Sequence, residues 1–133
     1  MKRMVLAAML AGCAVPEPAA RIEVDSGNWM GGTRTVIYQT GLVVQEITED
    51  QRVNRTEKQM SPTVFVSAAA VIAGEGTAVR AAFKPEDPVA LDYGHDLVRA
   101  VPPIGAFDEV VTMTPDRAVT MLMKHVLAAL KKK

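Results

Sequence analysis

Cysteine is nearly absent. The chain has one, Cys13, so no disulfide can close within it and packing alone has to hold the fold. Aromatic residues are almost as scarce, with three Phe, two Tyr and one Trp among 133 residues. That scarcity argues against a deep aromatic-lined pocket and leaves alanine, valine and methionine to fill the interior. Charge of one sign is missing as well, since 15 basic side chains balance 15 acidic ones. Neither nucleic acid nor an acidic polymer is implied as a partner. Long apolar runs are lacking too. The uninterrupted run at residues 4–11 falls far short of the roughly 20 apolar residues that a membrane-spanning helix needs, and no second hydrophobic membrane segment is expected.

What is present starts at the N-terminus. Lys2 and Arg3 precede the apolar run, and Gly12 and Cys13 follow it. This is the charged head, hydrophobic middle and small-residue exit of a secretory signal. Leu10-Ala11-Gly12-Cys13 resembles the lipobox of bacterial lipoproteins. The resemblance implies cleavage between Gly12 and Cys13, a diacylglyceryl group on the Cys13 thiol and, often, acylation of the new amine. Each buried methylene contributes about 0.8 kcal/mol, so one chain anchors marginally and two or more anchor firmly. An ordinary signal peptide cut later, near Ala19-Ala20, is the alternative. In lipoproteins, Asp directly after the modified cysteine marks retention in the inner membrane. Ala14 stands there, so the resemblance implies the outer membrane, with the domain facing the periplasm.

Removing residues 1–12 leaves 121 residues and takes Lys2 and Arg3 away, so 13 basic side chains face 15 acidic ones and the net charge is −2. Residues 13–20 hold Pro16 and Pro18 and read as a tether. At about 3.1 Å per residue it reaches roughly 20 Å from the lipid. Residues 21–133 are enough for one domain with a modest core.

Within that domain, residues 22–24 alternate as a short strand that Asp25-Ser26-Gly27-Asn28 breaks. Gly31-Gly32 reads as a turn or bulge. Residues 33–39, 42–48 and 52–59 form a three-stranded meander, with turns at Thr40-Gly41 and Glu49-Asp50. Ser61-Pro62 supplies an N-cap and a first-turn proline for a helix over residues 62–73, which Gly74 stops. Residues 78–83 read as a short strand, Pro85 and Pro88 as a loop, and 96–101 and 107–113 as strands around a turn at Pro102-Pro103-Ile104-Gly105. Thr114-Pro115-Asp116, read as cap, first-turn proline and first-turn acid, opens an amphipathic helix with Val119, Leu122, Met123, Val126, Leu127 and Leu130 as its apolar stripe. The expectation is a two-layer α+β domain: an antiparallel sheet of about four to six strands, with the C-terminal helix and one shorter internal helix on one face.

Candidate chemistry is sparse. Asp92-Tyr93-Gly94-His95-Asp96 places two carboxylates around an imidazole, residue types that ligate metals or move protons. No His-x-x-x-His and no cysteine ligand accompanies them, so a turn into a strand is the better reading. His125, beside Lys124, reads as a boundary residue of the last helix. Ser26, Ser61 and Ser67 stand in no Gly-x-Ser-x-Gly setting, and Ser61 reads as a cap. Gly74-Glu75-Gly76 lacks the Gly-Lys-Ser/Thr ending of a phosphate loop. Lys131-Lys132-Lys133 reads as a solvated tail beside the negative end of a helix rather than a headgroup contact. Asn54-Arg55-Thr56 fits a glycosylation sequon, which means nothing in a bacterial lipoprotein.

The order of these elements, with Leu91-Asp92-Tyr93-Gly94 and Pro115-Asp116, is similar to small uncharacterised lipoproteins of Gram-negative envelopes. Some of these carry cysteines where this chain has Ala90 and Thr114, which implies that the two positions are neighbours. The resemblance brings no activity with it. No catalytic residue, metal or cofactor is expected. The expected partners are the membrane, through the lipid on Cys13, and another envelope protein, with Trp29 as the best contact residue if exposed. Capture of a peptide along an exposed sheet edge is the alternative.

Overall fold

The computed structural model describes residues 20–28, 30–84, 94–114 and 116–131. Strand β1 is Arg21–Asn28, β2 is Gly31–Tyr38, β3 is Leu42–Glu49 and β4 is Arg52–Gln59. After helix α1, Thr63–Ala82, come β5, His95–Ile104, and β6, Phe107–Thr112. Helix α2, Arg117–Ala128, ends in a 3-10 turn, Ala129–Lys131. The six strands form one antiparallel sheet in the order β4-β3-β2-β1-β5-β6.

Strand alternation decides what is buried. Register pairs such as Ile22 with Ile37 and with Ala100, and Val24 with Val98, put apolar side chains on one face. There they meet Val64, Ala68 and Ile72 of α1 and Val119, Leu122 and Val126 of α2 in a single core. Both helices therefore lie on one face, and the molecule is a two-layer α+β fold as expected. The helix layer packs over β1, β2, β5 and β6, while all eight residues of β4 are exposed.

The opposite face carries the charged side chains together with Val36 and Val44, which are buried outside the helix-side core, and, among the described residues, has no helix against it. One ionic chain crosses all six strands there. Glu109 meets Arg99 at 2.7 Å, Arg99 meets Glu23 at 3.3 Å, and Glu23 meets Arg34 at 3.5 Å. Arg34 then meets Glu46 at 3.7 Å, Glu46 meets Arg55 at 3.2 Å, and Arg55 meets Glu57 at 2.8 Å. Glu23 is its hub and is 3% exposed, with Arg21 also bound at 2.7 Å. Burial by itself would raise the Glu23 pKa. The hydrogen bond from Arg21 and the charges of Arg34, Arg21 and Arg99 outweigh it and hold the carboxyl below its usual value.

Several expectations are corrected. Gly74 does not stop α1. The helix passes through a π turn, Ile72–Gly76, and runs on over Thr77–Ala82, so residues 78–83 are not a strand. The stripe Val64, Ala68, Ile72, Gly76 continues at four-residue spacing, and Gly76 holds right-handed helical angles (φ −62°, ψ −41°). Burial of that stripe outweighs the cost of two glycines, about 1 kcal/mol each. At 20 residues α1 is longer than α2, whose 12 residues are followed by a three-residue 3-10 turn, so the internal helix is not the shorter one. By length and composition α1 could also cross a membrane, contrary to the expectation of no second apolar segment; here its inner face is part of the core. At the start of α1, Ser61 Oγ accepts from the Thr63 amide at 3.2 Å. The cap of α2 is Asp116, whose carboxylate accepts from the Val119 amide at 3.1 Å, rather than Thr114. β1 runs unbroken to Asn28, Gly31 and Gly32 lie inside β2, and β5 continues through Pro102-Pro103 to Ile104.

Candidate functional site

Concave surface gathers at one end of the sheet, where β1 turns into β2, β3 into β4, and β5 begins. The glycines explain why. Gly27 pairs with Gly32 across β1 and β2, in a row of the open face that continues to His95 on β5. A Cβ on Gly27 would lie 2.8 Å from the Gly31 carbonyl oxygen, and one on Gly32 would lie 2.6 Å from the Gly27 Cα. Gly31 sits at φ +155°, where a Cβ would overlap the Thr48 carbonyl. Only glycine fits so close an approach, and two side chains are thereby missing from the row.

The gap they leave is a depression of about 330 Å³. Asp25, His95, Arg34 and Glu46 stand round it, with Met30 and Gln51 on its rim. His95 Nε2 is 3.6 Å from Asp25 Oδ2, and both side chains are about one-third exposed (34% and 31%). Asn28 Oδ1 accepts from the Met30 amide at 2.8 Å and so shapes the turn that carries the rim. Arg34 keeps carboxylates only at 3.5 and 3.7 Å, longer than good charge-assisted hydrogen bonds. Its side chain is 43% exposed, so its guanidinium is accessible to a bound group. The depression combines an anion acceptor in Arg34, cation acceptors in Asp25 and Glu46, and a soft apolar rim in Met30, which is 59% exposed.

His95 and Asp96, the two described members of the run Asp92–Asp96, part at the start of β5. Alternation along β5 sends His95 to the open face and Asp96 to the helix face, where Ser26 Oγ donates to Asp96 Oδ1 at 2.6 Å. Asp92 lies outside the described residues. No three described histidine, cysteine or carboxylate side chains come together as metal ligands. His125 is exposed on α2, and its Nδ1 lies 2.6 Å from Glu75 Oε1 in the π turn of α1. Trp29, Gly12, Cys13, Ala90 and Lys132-Lys133 also lie outside the described residues. Sequence reading missed Asp25 and Arg34, although each stands two residues from a glycine of the depression, on the same face by strand parity.

No family model matches this sequence, and neither the curated proteins nor the solved structures contain a match.

Proposed function

We propose that this chain is a lipid-anchored domain of the bacterial outer membrane, facing the periplasm, that binds another envelope protein with the open face of its sheet. The glycine-floored depression is the contact point. Leu10-Ala11-Gly12-Cys13 supports the anchor on Cys13, and Ala14 supports the outer membrane. The observation that carries the binding role is the position of the depression. The chain enters the sheet at Arg21, and the depression opens at the other end of β1, beyond Gly27 and Asn28. Eight residues at about 3.3 Å each separate the two by roughly 26 Å, which keeps the contact point away from where the chain enters the sheet. Mixed charge and an exposed methionine suit a protein surface better than a small apolar ligand.

Two measurements test this. Mass spectrometry of the native N-terminus is expected to find diacylglyceryl-modified Cys13, and an unmodified Cys13 overturns the anchor. A photo-crosslinking residue at Met30 is expected to trap one defined envelope protein in intact cells, while the same group at Arg117 on α2 traps none. Equal yields from both positions overturn the contact point.

A second reading, capture of an extended segment along a sheet edge, is favoured by β4, whose residues are exposed on both faces.

A further inference from the structure

β4 closes the sheet on one side and, among the described strands, is hydrogen-bonded to β3 alone. Its register with β3 runs without a shift from Leu42–Gln59 to Glu49–Arg52. The connection is a two-residue loop, Asp50-Gln51, with both residues at positive φ (50° and 67°), as a type I′ hairpin requires. In such a hairpin the pair flanking the loop, Glu49 and Arg52, is hydrogen-bonded, and bonded pairs then alternate. Arg52, Asn54, Thr56 and Lys58 thus spend their backbone groups on β3. Val53, Arg55, Glu57 and Gln59 point theirs outward, where no strand of the sheet pairs with them. Four such residues in a row are a template for another strand.

The side chains decide which strand. An antiparallel neighbour has to place its own outward-facing residues opposite these four, so a second copy can pair only in even registers. Centring the pair on Arg55 sets Arg55 against Arg55, and centring it on Glu57 sets Glu57 against Glu57. Both oppose like charges directly, which is destabilising. Centring it on Thr56 puts Arg55 opposite Glu57 twice and Val53 opposite Gln59 twice. On the other face, Thr56 meets Thr56 and Asn54 meets Lys58, so no like charges oppose there. The ionic chain of the open face ends at Arg55 and Glu57, held at 2.8 Å. In this register it continues into the second molecule.

We propose that two copies of this chain join edge to edge through β4, antiparallel about a two-fold axis at Thr56, with Arg55 of each opposite Glu57 of the other. The product is a continuous twelve-stranded sheet with an isologous interface. The axis is perpendicular to the sheet, so the helices of both copies share one side and both depressions stay open on the other. This pairing is independent of the anchor and of the partner bound at the depression.

The test uses the full chain, in detergent where it is lipidated, with mass measured by light scattering over a range of concentrations. A monomer–dimer equilibrium is expected. Arg55→Glu and Glu57→Arg each set like charges opposite and are expected to raise the dimer Kd at least tenfold, with circular dichroism unchanged. The double exchange R55E/E57R is expected to recover most of the loss, because the pairs re-form with reversed sign. The register has its own readout. Thr56 pairs with itself at a non-hydrogen-bonded site, where Cα atoms approach to about 4.5 Å, within disulfide range. In a Cys13→Ser background, Thr56→Cys is therefore expected to oxidise to a covalent dimer, and Asn54→Cys and Lys58→Cys are not. A mass that stays monomeric at every concentration overturns the proposal. So does a dimer indifferent to both charge reversals, or a β4 found occupied by a peptide of another protein.

Discussion

The two edges of this sheet are opposites. β6 has six residues, three of them buried, and its register with β5 shifts between Arg99 and Ile104. α1 lies against it, with Phe107 under Gly76 and Arg80 bound to Asp108 at 2.9 Å. β4 has eight residues, none buried, in unbroken register and, among the described residues, with no helix packed over it. Short length, a bulge and a covering helix are the ordinary ways of keeping a sheet from growing. One edge uses all three, and the other uses only charge, arranged with both signs. The difference separates two roles that edge strands can have: β6 is a wall of the core, whereas β4 contributes pairing potential and almost no hydrophobic stability.

The two edges differ most at Phe107. Its side chain is fully buried, so Phe107→Ala is expected to cost about 3–5 kcal/mol in urea unfolding. Val53→Ala on β4, at a site 60% exposed, is expected to change stability by no more than about 0.5 kcal/mol. Comparable losses would mean that β4 belongs to the core after all.

Glu23 joins the two halves of the open face, so it tests whether the edges are mechanically linked. Glu23→Gln keeps the shape but leaves Arg21, Arg34 and Arg99 around a neutral amide. A loss of about 2–3 kcal/mol is expected, the usual worth of hydrogen bonds to a charged group. Because the folded-state pKa of Glu23 lies below its ordinary value, its contribution is complete above the ordinary carboxylate range. It fades as pH falls through the depressed folded value. Wild type is therefore expected to lose stability on acidification more steeply than Glu23→Gln. Parallel pH profiles would show that Glu23 is not the hub.

What was legible beforehand divides along similar lines. The bounds of β4 were readable to the residue, because an edge strand outside the core follows alternation between turns, although the loop before it is Asp50-Gln51 and Glu49, expected in the turn, ends β3. The stripe of α2 was equally plain, since Val119, Leu122 and Val126 bury as their spacing says. α1 was misread after Gly74, because glycine ends a helix only when the backbone takes positive φ, and tertiary burial of Ile72 and Gly76 keeps it right-handed here. The depression was harder still. Gly27, Gly31 and Gly32 look like breakers in one dimension, and their reason is the approach of neighbouring strands, which no local pattern encodes. His95 drew notice for the carboxylates beside it in sequence, yet its neighbour in space is Asp25, from the adjacent strand.

The smallest expected effect lies in the turns that lead to the two edges. The β5–β6 turn gives its positive φ to Gly105 (57°), which has open space around it. The β3–β4 turn gives positive φ to Asp50 and Gln51, neither of which is free of the left-handed penalty of roughly 1–2 kcal/mol. Asp offsets part of it through local hydrogen bonding, but a glutamine side chain is too long for that. Gln51→Gly removes the penalty at the expense of a more flexible unfolded chain, and the two nearly cancel. The expected gain is about 0.5 kcal/mol, read as a small rise in Tm, whereas Gly105→Ala is expected to lose about 1 kcal/mol. Strain of this kind persists where a side chain is wanted for something other than stability, and Gln51 stands on the rim of the depression. A Gln51→Gly variant that is more stable but traps less partner from Met30 would tie that strain to binding. One that is more stable and traps as much would leave the turn a feature of the β4 edge alone.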